Sequence, residues 1–151
     1  MENPYTLGRD CVYAILDTEA NYNQGAWQDV QGLSVSVNYP GRKFIICSIC
    51  ISTTSHVNAG FQLVDHDGTA FLPMRSKTDK REPTHFSFEP PTSSEENLSV
   101  VTFHMIAEVK KKVQLQIRAD DAGHIRVNGF DNQKDLPYNH KTISILTVIS
   151  I

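Results

Sequence analysis

The side chains from which metal or acid–base chemistry would be built are six histidines, His56, His66, His85, His104, His124 and His140. None stands in an H-x-H or H-E-x-x-H pattern, so cupin-type and metalloprotease sites lack their ligand spacing. Cys47 and Cys50 have the C-x-x-C spacing of a zinc knuckle. Three residues apart on a strand, however, two side chains point to opposite faces and cannot share an ion. With Cys11 they make an odd number, which rules out a complete set of intrachain disulfides, and all three are expected as reduced thiols buried among apolar neighbours. Asp65, Asp67, Asp120 and Asp121 fall in tight turns, where carboxylates either offer oxygen ligands to calcium or bond their own backbone. There is no G-x-S-x-G elbow and no glycine-rich phosphate loop. These residues point away from catalysis, and neither a cofactor nor a bound metal is expected.

Ligand recognition has better candidates. Phe130, Asp131, Asn132, Tyr138, Asn139 and His140 share one loop, and an aromatic face beside amides and carboxylates suits a sugar. Trp27, the single tryptophan, reads either as a core or interface anchor or as a sugar platform. The net charge of −3 argues against nucleic acid. Lys110, Lys111 and Lys112 form the one basic run, between two strand patterns, as a solvated turn would. Residues 1–10 carry no apolar signal core, and no apolar run approaches spanning length. Synthesis in the cytosol without membrane insertion is therefore expected, with a place in a virion or appendage left open.

These residues are positioned by strands. Apolar residues recur at the helical period nowhere for three turns; 13–20 comes nearest and is uncapped. Strand and turn patterns instead alternate every ten residues or so, which predicts an all-β sandwich. Strands are expected over 11–17, 27–30, 33–38, 43–52, 60–64, 69–73, 85–88, 98–109, 112–118, 124–127 and 142–150. Asp67-Gly68 predicts a hairpin, Pro40-Gly41 and residues 120–123 further turns. The long segments 75–97 and 128–141 read as loops. No composition shift divides the chain, so 1–151 reads as one domain.

The strands are of two kinds. Residues 33–38, 60–64 and 112–118 are apolar on one face only, giving one dry and one wet face. Residues 11–16, 44–51, 98–109 and 143–151 are apolar on both faces, so both are covered. Two sets of different exposure predict two packed sheets, one of them meeting something apolar outside. A second copy of the chain is the economical cover. The expected interface is Cys11, Tyr13, Phe44, Ile46, Leu98, Val100, His104, Ile106, Leu146 and Val148, with Thr102, Ser144 and Thr147 as polar interruptions.

The order of these strands resembles the ten-stranded jelly roll of the tumour-necrosis-factor and C1q-like superfamily, whose inner sheet surrounds a threefold axis. Trp27-Gln28-Asp29-Val30 followed by Gly32-Leu33-Ser34-Val35, then the hairpin at Asp67-Gly68, also resembles head domains at phage tail-fibre tips. The final strand lacks the glycine-aromatic signature of C1q heads. The resemblance implies a two-sheet antiparallel jelly-roll sandwich of about ten strands and a homotrimer. The expected function is a non-enzymatic domain whose loops recognise a receptor or surface glycan by multivalent display. The alternatives are a small cupin-like metal-dependent enzyme and a purely structural capsid or fibre subunit.

Overall fold

A computed structural model describes residues 11–23, 25–53, 57–71, 86–90, 97–119, 124–129 and 142–151. Ten strands follow in chain order: β1 (Cys11–Leu16), β2 (Ala20–Asn23), β3 (Gln28–Ser36), β4 (Gly41–Thr53), β5 (Ala59–Val64), β6 (Phe86–Phe88), β7 (Asn97–Val109), β8 (Lys112–Ala119), β9 (His124–Val127) and β10 (Ser144–Ser150). They pair antiparallel in two sheets. In the first sheet β4 is the spine: β7 lies along one edge, and β10 with β1, then β9 with β2, share the other. The second sheet runs β3-β8-β5-β6. This is the all-β sandwich that strand patterning predicts, in the two-sheet jelly-roll form that the resemblance implies.

The four strands apolar on both faces are neighbours, in the order β1-β10-β4-β7. Their inner faces meet those of β3, β5 and β8 in one core, built on Ile45, Ile49, Ile51, Leu33, Phe61, Leu63, Leu115 and Ile117. Phe103 of β7 stacks on Phe61 of β5 at 5.5 Å and on Phe86 of β6 at 4.4 Å, joining the two sheets. Cys47 is sealed in this core, and burial pushes its thiol up to about 12, leaving it unreactive.

Several expectations need correction. Residues 27–30 and 33–38 do not form two strands. One strand, β3, covers most of both, and its ladder with β8 is interrupted between Asp29 and Ser34. Gly32 takes φ +92° there, and the Gln114 amide donates to the Val30 and Leu33 carbonyls that the interruption leaves over. The short β2 follows a turn at residues 17–19, where the polar Asn-Tyr-Asn pattern gives little strand signal. Of the expected strand at 69–73, the described residues 69–71 form a single bridge, Ala70 with Val64, within the Asp67-Gly68 hairpin, and residues 72 and 73 lie outside the described residues. Cys11 is exposed, not buried.

Asp65 anchors the end of that hairpin. Its carboxylate accepts hydrogen bonds from the backbone N–H groups of His66, Lys110, Lys111 and Lys112, with His66 Nδ1 also 2.8 Å away. The basic run is thus a turn wrapped around an acid. Burial works to raise the Asp65 pKa, but the hydrogen bonds from His66, Lys110 and Lys112 together outweigh it and hold it well below the carboxylate range. Asp67 bonds the Thr69 N–H in the same turn. Both carboxylates act on backbone, as turn aspartates do; Asp120 and Asp121 lie outside the described residues.

Candidate functional site: the outer face of the first sheet

Antiparallel register sorts the outward side chains of β1, β10, β4 and β7 into rows. Cys11, Ile149, Phe44 and Ile106 form one, Tyr13, Thr147, Ile46 and His104 the next, and Ile15, Ile145, Ser48 and Thr102 a third. Cys50 and Val100 continue it. Large apolar groups stand open: Tyr13 and Val100 are each 65% exposed, Ile15 54%, Ile143 45% and Ile106 40%. Phe44, Ile46, Ile145 and Ile149 are half-buried between them. Polar groups on the face are few and mostly engaged. Thr102 donates to Ser48 at 3.1 Å, and the His104 ring meets the edge of Phe44 at 5.7 Å. Arg42 and Glu108, opposite each other in register, mark the first charged row beyond it.

Of the expected interface residues, Cys11, Tyr13, Phe44, Ile46, Leu98, Val100, His104 and Ile106 stand on these outward phases. Leu146 and Val148 do not. They pair with Cys47 and Ile45, which point inward, and are buried in the core at 0% and 1% exposure. Ile145, Thr147 and Ile149 take the outward positions instead. A strand apolar on both faces gives no phase of its own, so only its register against β4 decides which side faces out. Ser144 is likewise inward, where its hydroxyl accepts from the Cys50 N–H and donates to the Asn128 side chain.

Asn128 itself is a structural knot beneath the end of this face. It adopts φ 57°, donates from its amide to the Leu16 and Thr18 carbonyls, and takes the Ser144 hydroxyl on its side-chain oxygen. It ties the end of β9 to β1 and β10.

The expected ligand loop, Phe130, Asp131, Asn132, Tyr138, Asn139 and His140, lies outside the described residues. Trp27 lies outside the core, against the solvent side of the second sheet. A Cβ on Gly60 would come within 3.2 Å of its ring. Beside it runs a hydrogen-bonded ladder, Gln62 to Gln116 to Asp29. Among the described residues no three His, Cys, Asp or Glu side chains cluster as a metal site would need.

No family model and no curated protein sequence matches the chain. Solved structures do. The chain is similar to Eiger TNF from S. frugiperda at 11% identity and a TM-score of 0.53, over 95% of this chain and 94% of that one. The fold is a TNF-like jelly roll. Two further likenesses are to the VP2 protein of infectious bursal disease virus and to the enzymatically active domain of bacteriophage CBA120 tailspike protein 4. The first has 11% identity and a TM-score of 0.42 over 92% of this chain and 35% of that one. The second has 13% identity and a TM-score of 0.35 over 99% and 21%. The chain spans only about a third and a fifth of those two.

Proposed function

We propose that this protein is a non-enzymatic recognition domain that assembles with two further copies of itself through the outer face of β1-β10-β4-β7. The observation that carries the reading is that face. Four strands about 4.8 Å apart, three rows deep with part of a fourth, cover roughly 450 Å², so two such faces together approach about 1,000 Å², where specific interfaces begin. Its rows hold no carboxylate and no lysine or arginine, so it asks of its partner no complementary charge. A second copy of the same apolar face satisfies that requirement. The open apolar side chains are already about half buried, so covering the rest of each contributes about 1–2 kcal/mol, and together they work against the cost of association, about 4–15 kcal/mol. A threefold arrangement is what the resemblance to jelly-roll heads implies. The assembly would present three copies of each ligand-binding surface rigidly, so that weak sites for a glycan or receptor gain avidity.

Ile46→Lys places a charge at the middle of the face. The variant is expected to sediment as a monomer with its β-sheet circular dichroism intact. An Ile46→Lys protein of the same mass as the unsubstituted oligomer would refute the assignment of this face.

A further inference from the structure

We propose that the polar trough over β2 and β9 is a binding site for a neutral oligosaccharide. It takes up the recognition half of the reading above and does not depend on the oligomer. The ladder sets Asn21 opposite Arg126 and Asn23 opposite His124. Alternation turns Tyr22, Ile125 and Val127 into the interior and these four side chains outward. With Glu19 they line a shallow, open trough with no apolar side chain among its lining residues. The contrast with the rest of the sheet is sharp: β1, β10, β4 and β7 carry isoleucine, valine and aromatic rings on the same side.

The trough is built, not merely wet. Arg126 holds Glu19 through both Nε, at 3.1 Å, and Nη2. Gly129 leaves the space in which the Glu19 carboxyl sits, since a Cβ there would lie 2.5 Å from it. Two amides and an imidazole stand on paired strands alongside this fixed pair.

The chemistry of the lining selects the ligand class. A carboxamide offers a donor and an acceptor side by side, which matches two neighbouring hydroxyls, each both donor and acceptor. The guanidinium charge is answered by Glu19, so the trough has little to attract an anion. No aliphatic side chain lines it to favour an apolar ligand. A polyhydroxylated, uncharged chain of sugars meets each of these conditions.

The test is a panel of immobilised neutral, sialylated and sulfated oligosaccharides, followed by titration calorimetry with the best neutral member in soluble, monovalent form. The unsubstituted protein is expected to bind neutral members, and Asn21→Ala/Asn23→Ala to bind them about tenfold or more weakly. Both asparagines are exposed, so the double variant should keep its melting temperature. Backbone amide shifts in residues 19–23 and 124–127 on adding the sugar would locate the site without any substitution. Undiminished binding by the double variant, with shifts elsewhere, would overturn the trough while leaving glycan recognition by another surface. Failure to bind any neutral member, or binding confined to charged members and abolished by salt, would overturn the proposal. Neither result touches self-association, which the mass of the Ile46→Lys variant tests separately.

Discussion

Asp65 shows how one residue can hold two turns. Four backbone N–H groups converge on its carboxylate, three of them from the lysine run that leads from β7 into β8. Removing the acceptor strands those donors, so Asp65→Ala is expected to cost about 2–3 kcal/mol in urea unfolding. The pH dependence has a definite sign. The folded pKa is depressed, so the stabilisation is complete above the ordinary carboxylate pKa, near ~4, and is lost as the pH falls from there toward the folded value. Stability of the unsubstituted protein should therefore drop below about pH 4 more steeply than that of Asp65→Asn; parallel curves would contradict this role. Asn128 is the second such residue. Asn128→Ala loses the bonds to Leu16, Thr18 and Ser144 and keeps a positive φ, and is expected to cost about 2–4 kcal/mol. His104 is the titratable group at the centre of the apolar face, with Phe44, Ile46 and Ser48 facing it from β4, Thr102 and Ile106 beside it on β7, and Glu108 a further turn of the pleat away. A positive charge on that ring would oppose burial against an apolar partner. Dissociation on acidification, measured by sedimentation, should disappear in His104→Gln; its persistence would assign the effect elsewhere.

At the scale of elements, the two strands hardest to read are those that departed most from simple alternation. β3 shows its apolar residues at Val30, Leu33 and Val35, a spacing that breaks period two, and the break was legible as a division between strands. What the sequence could not show is that the chain continues through it, because the continuity depends on Gln114 from β8 and on contact with Leu16 from β1. A methyl group on Gly32 would lie 2.7 Å from Leu16 Cδ1 in a backbone conformation that favours glycine. Gly32→Ala is accordingly expected to cost about 2 kcal/mol or more in stability, and no loss would mean that the interruption is looser than it stands here. β10 fails differently. Isoleucine, leucine and valine on both faces say that both are covered, but the assignment of Leu146 to the core and Ile145 to the outside comes only from pairing with β4. Short, polar β2 was illegible for a third reason. Its single inward aromatic, Tyr22, is too little pattern for a strand until Ile125 and Val127 of β9 lie beside it.

At the scale of the whole molecule, the doubly apolar strands were legible as a set, and the sheet order β1-β10-β4-β7 makes that set a surface. Strand type therefore carried more about architecture than any motif did. The histidine, cysteine and aspartate spacings, which looked most like chemistry, resolve among the described residues into packing and turn capping at Cys47, Asp65 and Asp67. The polar trough was not legible, since His124 and Arg126 meet Asn21 and Asn23 only through a pairing a hundred residues long in sequence. The proposal that the outer face joins copies of this chain is tested most directly by the mass of the protein in neutral solution, followed across dilution by sedimentation velocity. A particle three times the mass of the 151-residue chain that persists on dilution is expected. A stable monomer at every concentration would contradict it.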